Sequence, residues 1–458
     1  MRVTRTRVLG ILLALAGCST RIPVADPSLA HLQVPGQARR VILFIGDGMG
    51  DSEITIARNY AVGAGGRLEM DRLPATGACT TYAVEENDPR LPVYVADSAA
   101  GGTALATGAK TSNRRVSTEP RTGRPLTTIV ELARSAGLRT GLVTTADVTD
   151  ATPACFASHA SHRSCRSPSD MQVCPDDTRA RGGRGSIAEQ LAESGVDIIL
   201  GGGLDRFAQP LDPAVGGRTV VEAAQAGGYK VVRSAGELAA TIAEPSSAQS
   251  VLGLFAPGDF DHLWSGDLAM PFPGSGPQRC REGRRPEGQP TLPAMTAAAI
   301  AWLDRRGPDG KVPPGFFLMV EGSSIDKCDH EANPCGQIGE TVELDDAVAV
   351  ARQYAADRPD TLIIVTADHG HASQAIFPPG DKDHSPGVFS ILITREGAQM
   401  VVNYGTNLAG IRQSHSGTQV KVAAQGPHAA GVIGVIDHTD VFRLMVRALG
   451  LDRATADN

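Results

Sequence analysis

Two apolar segments that end in metal-binding side chains place the strongest constraint on the fold of this chain. The β-branched, apolar run Thr361–Thr366 is followed closely by Asp368 and His369. This pattern predicts a buried parallel strand that presents a carboxylate and an imidazole at its carboxyl end. The run Val41–Ile45 is followed by Asp47 in the same way. Because open α/β sheets bind ligands at that edge, and because oxygen and imidazole ligands suit zinc, the two segments predict one metal site assembled by the fold.

Strand-like runs alternate with helical segments along the rest of the 458-residue chain. The predicted strands are Val41–Ile45, Thr140–Thr144, Asp197–Leu200, Ser250–Phe255, Phe316–Val320, Thr361–Thr366 and Phe389–Ile393. The predicted helices are Leu126–Ala136, Ser186–Ser194, Pro293–Leu303 and Thr341–Ala356. This alternation predicts an α/β fold with a large, mainly parallel sheet flanked by helices on both faces, a three-layer α/β/α arrangement. Gly/Pro-rich stretches indicate long loop insertions, and we expect one large catalytic domain over residues 39–458.

The N-terminus has the pattern of an export signal. Arginines near the start precede the apolar segment Val8–Ala16, which is too short to span a bilayer. It runs into Leu15-Ala-Gly-Cys18, which is similar to the bacterial lipoprotein cleavage box. We therefore expect a signal peptide over residues 1–17, lipidation of Cys18 and a polar tether over residues 18–38, with an ordinary secretory signal as the alternative. The expected location is the periplasm, and Ser19 favours a lipid anchor in the outer membrane.

Charge and cysteine content limit the partners and the compartment. The formal net charge of -7 gives no signal of nucleic-acid binding, and the short basic cluster Arg281–Arg285 is interpreted as a solvated loop. An exported chain permits disulfides. Cys165 and Cys174 bracket a short polar loop and are expected to pair, whereas Cys280 needs a distant partner. The odd number of cysteines after Cys18 leaves at least one free thiol or an intermolecular link.

A third group of candidate ligands follows the predicted strand Phe316–Val320, which ends at Glu321. On a helix, Asp326 and His330 would lie four residues apart on one face, as a metal-ligand pair requires. A single carboxylate at a strand end is more often a cap or an ion-pair partner. Three such carboxylates, two of them with a histidine nearby, favour a metal site.

Asp97 and Ser98 open a stretch of small residues that ends at Gly108. If Ser98 begins a helix, the N-terminal N–H groups of that helix would favour phosphate or sulfate, and an N-cap on a purely structural helix is the alternative. The stretch lacks the G-x-S-x-G pattern of Ser-His-Asp hydrolases. A nucleophilic Ser98 therefore needs another activator, and a metal ion supplies one.

Taken together, these motifs resemble those of bacterial alkaline phosphatase. The resemblance is carried, in family order, by Gly46–Thr55, Asp97–Ala100, Asp150–Pro153, Glu321–Lys327, Asn333–Val342 and Thr366–His369, and it runs from Val41 to Leu451. It implies a phosphate monoester substrate, two zinc ions, one magnesium ion and a homodimer. Membrane contact would be made only through the lipid on Cys18.

The resemblance also implies which residues hold the metals. Ser98 corresponds to the nucleophile that is phosphorylated on the second zinc, and Asp47 corresponds to the carboxylate shared between that zinc and the magnesium. The implied ligands are Asp47, Ser98, Asp368 and His369 for the second zinc, Asp326, His330 and His415 for the first zinc, and Asp47, Thr152 and Glu321 for magnesium.

Further residues are implied to support these ligands. Arg163 corresponds to the phosphate clamp, because a guanidinium fork can grip two phosphoryl oxygens. Asp150 and Lys327 correspond to residues that act through water, and His371 to an outer histidine near the second zinc. The surrounding residues are Asp97, Asp150, Lys327 and His371, and the implied disulfides are Cys165–Cys174 and Cys280–Cys335.

The implied mechanism is attack of Ser98 on phosphorus, stabilisation of the leaving alkoxide by the first zinc, and hydrolysis of the phosphoserine by water on that zinc. A phosphodiesterase, nucleotide pyrophosphatase or sulfatase of the same superfamily is an alternative, and a non-catalytic zinc- or phosphate-binding lipoprotein is another. Cys328, inside the zinc motif, is interpreted as a bystander thiol, and Cys79 and Cys155 have no assigned partners.

Overall fold

A ten-stranded sheet forms the centre of the molecule, in a computed structural model that describes residues 36–211, 217–244, 250–307, 310–380 and 385–451. The strands are β1 (Arg40–Gly46), β2 (Ala75–Thr80), β3 (Ala83–Val84), β4 (Pro92–Val93), β5 (Arg139–Asp147), β6 (Ile198–Gly202), β7 (Tyr229–Val232), β8 (Ser250–Leu254), β9 (Trp264–Ser265), β10 (Ser275–Gln278), β11 (Arg281–Glu282), β12 (Phe316–Gly322), β13 (Thr361–Ala367), β14 (Ser373–Ile376), β15 (Val388–Ile393), β16 (Gln399–Tyr404), β17 (Val420–Gln425) and β18 (Gly434–Asp437).

The order of strands in the central sheet is β18-β2-β17-β13-β1-β12-β5-β6-β8-β7. From β13 to β7 all neighbours are parallel, and β17 is antiparallel to both of its neighbours. Strands β1, β12 and β13 are buried along their whole length, because continuous apolar runs can be covered on both faces. The prediction of a large, mainly parallel sheet is confirmed.

Helices cover the sheet in two groups that contact each other little. The helices are α1 (Asp51–Ala61), α2 (Ser98–Thr107), α3 (Ile129–Ser135), α4 (Ala151–Ala157), α5 (Ile187–Glu193), α6 (Leu204–Phe207), α7 (Val220–Ala226), α8 (Ala235–Ala243), α9 (Leu292–Asp304), α10 (Ser324–His330), α11 (Pro334–Ala356) and α12 (His438–Leu449). Helices α1, α8 and α9 pack with or beside α11, whereas α2, α3, α4 and α12 pack with one another. The result is the predicted three-layer α/β/α arrangement.

A smaller sheet corrects one of the predicted strands. Strand β15, predicted as Phe389–Ile393 in the main sheet, instead belongs to a four-stranded sheet in the order β10-β15-β16-β14. Apolar residues alone could not decide between the two sheets, since either one buries them. The ends of the segment that carries β14, β15 and β16 meet at an antiparallel bridge, in which Ser416 donates its N–H to Gly370 O at 3.1 Å. This bridge holds both ends of the segment that carries β14, β15 and β16 next to His369 and His415.

The predicted signal peptide, the lipidation of Cys18 and most of the tether lie outside the described residues. At the start of the described chain, the Gln37 side chain donates to Leu449 O at 2.7 Å and Ala38 N–H to Ala448 O at 2.8 Å. The last residues assigned to the tether are therefore packed on α12 and belong to the folded domain. Within the described ranges, no helix is both long and apolar enough to span a bilayer.

Two disulfides join loops around the sheet. Cys165 is bonded to Cys174 with a Cα–Cα distance of 6.2 Å, and Cys280 is bonded to Cys335 at 5.3 Å. The remaining cysteines of the described chain, Cys79, Cys155 and Cys328, are buried free thiols.

The interpretation of Arg281–Arg285 as a solvated loop is wrong for its last residue. The Arg285 side chain is only 2% exposed, and its Nη2 lies 3.0 Å from Glu340 Oε2 and also donates to Glu343. Both acids lie on α11. Their side chains face inward from this long helix. The run of basic residues in the sequence could not reveal that one of them, Arg285, has buried acidic partners so far along the chain.

Candidate metal and phosphate site

Three neighbouring strands deliver carboxylates to one edge of the central sheet. Ile45 of β1 is in register with Glu321 of β12 and with Thr366 of β13. Asp47 and Asp368 follow two residues after Ile45 and Thr366, so parallel register alone brings them together at the carboxyl edge. Gly48 turns the chain after β1 with φ +65° and donates its N–H to Asp368 Oδ1 at 3.0 Å. The sheet therefore assembles the site predicted from these runs.

Ser98 is the first residue of helix α2 and lies at this edge of the sheet, so the condition stated in the sequence analysis, that Ser98 begins a helix, is met. Asp97 is the N-cap residue and accepts the N–H of Ala100 at 3.0 Å. The buried Ser98 Oγ lies 3.3 Å from His369 Nε2 and 3.4 Å from Asp47 Oδ1. The approach depends on Gly101, because a Cβ at that position would lie 2.4 Å from Asp368 O.

A second group of ligands forms around Asp326. Asp326 and His330 lie four residues apart on α10, with His330 Nε2 3.4 Å from Asp326 Oδ2. His415, on a loop after the small sheet, places its Nε2 3.2 Å from Asp326 Oδ1. Ligand atoms of Asp326, His330, His371 and His415 lie within 4.8 Å of one another, and so do those of Asp47, Asp326 and His369.

The hydrogen bonds of the rings fix their tautomers. His330 Nδ1 contacts Gln413 O, and His415 Nδ1 lies 3.1 Å from Ala96 O. A carbonyl can only accept, so both Nδ1 atoms carry a proton, and in the neutral ring each Nε2 presents a lone pair. These two Nε2 atoms lie 3.2 Å apart. Lone pairs aimed at each other beside a carboxylate are the donor arrangement that a shared divalent cation satisfies.

His371 has the opposite tautomer and a different neighbour from the one expected. Its Nδ1 accepts the N–H of Ala372 at 2.8 Å, so Nε2 carries the proton and lies 3.1 Å from Asp326 Oδ1. His371 was expected beside the second-zinc ligands. It instead faces the carboxylate of the first group, because the chain after β13 turns His371 towards α10.

A third set of oxygens lies close enough to Asp47 for the Glu321 charge to act on its carboxylate. Thr152, on α4, and Glu321 are both buried. Glu321 Oε2 accepts from Thr144 Oγ1 at 2.5 Å, whereas Glu321 Oε1 and Thr152 Oγ1 have no hydrogen-bond partner among the described residues. Buried oxygens without partners are costly unless something binds them, and an all-oxygen set fits magnesium.

The carboxylates at this edge repel one another and are cut off from water. Burial, followed by the charges of Asp368 and Asp326, raises the pKa of Asp47 well above its usual range. Burial raises the pKa of Asp368 to about 7 and that of Glu321 to about 8, although Gly48 N–H and Thr144 partly stabilise the two anions. Burial also holds the pKa of His369 well below its usual range. Several buried carboxylates beside a neutral imidazole form a site that binds divalent cations.

Two basic residues, Arg163 and Lys327, pair with acidic side chains of the site. Arg163 Nη1 lies 3.3 Å from Asp97 Oδ2, and its Nη2 lies 3.1 Å from Asp150 Oδ1. Lys327 Nζ lies 3.2 Å from Asp150 Oδ2 and 2.9 Å from Asp259 Oδ1. The described structure thus brings the predicted metal ligands, Ser98, Arg163 and the supporting residues into one region.

Three residues of this region were missed by the sequence analysis. Arg166 also donates to Asp150 Oδ1, Asp259 pairs with Lys327, and Asp147 Oδ2 lies 3.8 Å from an Arg166 nitrogen. Asp147 is the last residue of β5, which runs three residues beyond the predicted strand Thr140–Thr144, so the prediction did not mark it as a strand-end carboxylate. Arg166 and Asp259 lie in loops without a pattern that marks them.

Comparison with known proteins agrees with this geometry. Residues 38–413 match the family model described as alkaline phosphatase. The chain belongs to the alkaline phosphatase family. Relatives of this family include the streptomycin-6-phosphate phosphatase of Streptomyces griseus, 53% identical over 91% of this chain and 92% of its own length, and the alkaline phosphatase of Escherichia coli, 46% identical over 90% and 86%.

Solved structures of alkaline phosphatases share the fold. The enzyme from the Antarctic bacterium TAB5 aligns with a TM-score of 0.68 at 23% identity, covering 91% of this chain and 99% of the other. The Thermus thermophilus enzyme aligns with a TM-score of 0.64 at 23% identity, covering 94% and 96%. With its relatives at 46–53% identity named as phosphatases, this member of the alkaline phosphatase family is an enzyme.

Proposed function

We propose that the chain hydrolyses phosphate monoesters through a phosphoserine formed on Ser98. The observation that carries this proposal is the position of Ser98 Oγ, 3.3 Å from His369 Nε2 and 3.4 Å from Asp47 Oδ1, at the start of helix α2. A serine hydroxyl that lies between buried metal-binding groups is placed for activation as a nucleophile.

The donor sets fit two zinc ions and one magnesium ion. Mixed nitrogen and oxygen donors suit zinc, and oxygen donors suit magnesium. The ligands would be Asp326, His330 and His415 for one zinc, Asp47, Asp368, His369 and Ser98 for the other, and Asp47, Thr152 and Glu321 for magnesium. When bound, such ions lower the pKa of coordinated hydroxyl groups and neutralise charge on phosphoryl oxygens.

The residues of the chain divide the reaction between them. Ser98 loses its hydroxyl proton and bonds to phosphorus as the ester P–O bond breaks, and the departing alkoxide takes up a proton. Water then cleaves the phosphoserine and releases inorganic phosphate, which restores the Ser98 hydroxyl. Arg163 donates two N–H groups to nonbridging oxygens, and the N-terminus of α2 adds backbone N–H groups near the same oxygens.

Trapping the covalent intermediate tests this proposal directly. Metal-loaded enzyme is incubated with a labelled phosphate monoester, quenched in acid and analysed for label on Ser98. We expect label on the wild type, none on Ser98→Ala, and label on Thr107→Ala, which removes a hydroxyl at the other end of the same helix. Equal labelling of Ser98→Ala would contradict the proposal.

Substrate class is tested by initial rates. Rates on a phosphate monoester, a phosphate diester and a sulfate ester separate the proposed activity from those of related hydrolases. An aminoglycoside phosphate belongs in the same series, because the relative from Streptomyces griseus is named for streptomycin 6-phosphate. Loss of monoester hydrolysis on chelation, and its return with zinc and magnesium, separates catalysis from mere metal binding.

We also propose that the enzyme is a homodimer. Tyr94 and Leu408 are each 75% exposed, and Ile411 is 55% exposed. Their loops adjoin the site, since His415 Nδ1 lies 3.1 Å from Ala96 O. A second copy of the chain would cover these apolar side chains. Light scattering should give twice the chain mass for the wild type and a smaller mass for a Tyr94→Ser, Leu408→Ser double variant, and a monomeric wild type would contradict the proposal.

Export and lipid anchoring complete the proposed setting. Phosphate esters outside the cytoplasm are accessible to an enzyme that is secreted and held by a lipid on Cys18. Incorporation of labelled palmitate into the wild type but not into Cys18→Ala is the expected result. Label that persists in Cys18→Ala would contradict lipidation at this residue.

A further inference from the structure

Three cationic side chains converge on one buried carboxylate at the edge of the site. Asp150 Oδ1 accepts from Arg166 and lies 3.1 Å from Arg163 Nη2, while Asp150 Oδ2 lies 3.2 Å from Lys327 Nζ. Asp150 is buried, so water contributes little to its solvation. The charges of the three bases therefore determine how strongly the Asp150 carboxylate repels an anion that is bound beside it.

Arg166 is held in place by its backbone and by a second acid. Ala188 donates its N–H to Arg166 O at 2.9 Å, and the preceding residue, Cys165, is tied into a disulfide. An Nη atom of Arg166 lies 3.8 Å from Asp147 Oδ2. The Arg166 side chain is 23% exposed. Its guanidinium is thus positioned behind Asp150 by contacts that do not involve Arg163.

Arg163 divides its donors between two carboxylates. Its Nη1 lies 3.3 Å from Asp97 Oδ2 and its Nη2 lies 3.1 Å from Asp150 Oδ1. In the proposed function the same guanidinium must also donate to a phosphoryl group. Without Arg166, Asp150 would keep only Lys327 and Arg163 as counter-ions, so it would compete more strongly for the Arg163 donors and would repel the phosphoryl charge.

We propose that Arg166 is the resident counter-ion of Asp150 Oδ1, as Lys327 is of Asp150 Oδ2, and that Arg166 thereby frees Arg163 to bind the phosphoryl group. Arg166 is in this sense a positioning residue that acts through Asp150. The inference rests on the proposed role of Arg163. Because substrate and inorganic phosphate feel the same charges, loss of Arg166 weakens the binding of both.

Substitution of Arg166 in the metal-loaded enzyme tests this role. For Arg166→Gln we expect KM and the dissociation constant of inorganic phosphate to rise together by about tenfold, the loss of one charge-assisted interaction, with kcat within about twofold of wild type. Arg166→Lys keeps the positive charge and should restore most of the affinity. Unchanged phosphate affinity in Arg166→Gln overturns the proposal.

Arg206 offers a matched control. Its Nε lies 3.2 Å from Asp147 Oδ2 and its Nη1 lies 3.3 Å from Asp170 Oδ2, so it belongs to the same charged region but pairs with acids other than Asp150. We expect Arg206→Gln to leave the phosphate affinity unchanged. A tenfold loss in Arg206→Gln would mean that general charge, and not pairing with Asp150, sets the affinity.

A double-substitution cycle separates an indirect effect from a direct one. In an Asp150→Asn background Arg166 no longer faces the Asp150 charge and keeps only its contact with Asp147, so Arg166→Gln should cause no further loss of phosphate affinity. If the full loss persists there, Arg166 binds phosphate directly and the proposal is wrong.

Calorimetry with inorganic phosphate measures phosphate affinity without turnover. A wild type that binds phosphate but does not hydrolyse monoesters would therefore refute the proposed function without deciding the role of Arg166.

Discussion

The Nε2 atoms of His330 and His415 lie 3.2 Å apart, and the other nitrogen of each ring faces a backbone carbonyl. The two histidines are far apart in sequence, one on α10 and the other on a loop after the small sheet. The carbonyls of Gln413 and Ala96 orient the two rings so that their Nε2 atoms face each other, and ligand rings held by the protein favour metal binding. The protonated Nε2 of His371 lies 3.1 Å from Asp326 Oδ1 and faces this carboxylate.

The tautomers predict different effects of two histidine substitutions. His415→Ala should lose about one zinc per chain, because it removes a ligand lone pair. His371→Ala should keep zinc at saturating concentration but weaken its binding by about 10–100-fold, the usual effect of removing an outer partner of a ligand. Metal analysis after dialysis against graded chelator measures both. Equal stoichiometric loss in the two variants would contradict the assigned tautomers.

Arg163→Lys should lower kcat/KM by about 10²–10³-fold, because an ammonium group cannot donate to two phosphoryl oxygens in the fork geometry of a guanidinium. Steady-state kinetics with a phosphate monoester measures the effect. Arg114→Lys is a suitable control, since Arg114 is exposed and its backbone N–H also contacts Asp97, at 3.0 Å from Oδ1. Similar losses in both variants would argue against a specific clamp.

The metal-free protein should become less stable as pH rises. Asp368 and Glu321 have folded-state pKa values of about 7 and about 8, above those of an unfolded chain. The folded protein therefore binds more protons than the unfolded one, and the stability contributed by these protonated carboxyls is lost as pH rises through the two values. Above about pH 6.5, histidines of the unfolded chain are largely neutral and do not offset this loss.

Thermal unfolding of chelator-treated protein between pH 6.5 and 8.5 checks the direction. We expect Tm to fall across this range for the wild type and to fall less for Glu321→Gln, which removes one of the titrating groups. Zinc and magnesium should reverse the trend, because the ions replace the protons. A Tm that rises with pH in the metal-free wild type is the outcome that contradicts this account.

Arg285→Ala should destabilise the folded protein by about 3–5 kcal/mol, because it leaves Glu340 and Glu343 buried without their cation. Arg281→Ala, at an exposed position of the same segment, should change the free energy of unfolding by less than about 0.5 kcal/mol. Chemical denaturation of the two variants, both loaded with metal, gives the comparison. Similar stabilities would show that the buried pairs contribute little.

Sequence reasoning was most successful where local pattern and site coincide. The runs that became β1, β12 and β13 predicted both the parallel sheet and the edge at which Asp47, Glu321 and Asp368 meet, because continuous apolar strands are buried and parallel strands end together. The spacing of Asp326 and His330 predicted a shared helix face, and α10 has them on one turn.

Other features depend on tertiary contacts that no local pattern contains. The strand β15 is apolar in either sheet, so its membership is decided by pairing with β10 and β16. His415 lies in a polar loop, and only family resemblance indicated it. The neighbour of His371 is set by how the chain turns after β13, and the buried partners of Arg285 lie more than fifty residues away on α11.

The bridge between Gly370 and Ser416 fastens both ends of the small-sheet segment beside the histidines. Ser416 also donates its hydroxyl to His371 O at 2.8 Å, which strengthens the same junction. A segment closed at its base in this way can be lengthened, shortened or exchanged at its far end while His369 and His415 stay where they are. The far end of this segment can therefore vary in evolution or be redesigned. Such changes would alter the surface that the enzyme presents, while His369 and His415 keep their positions in the site.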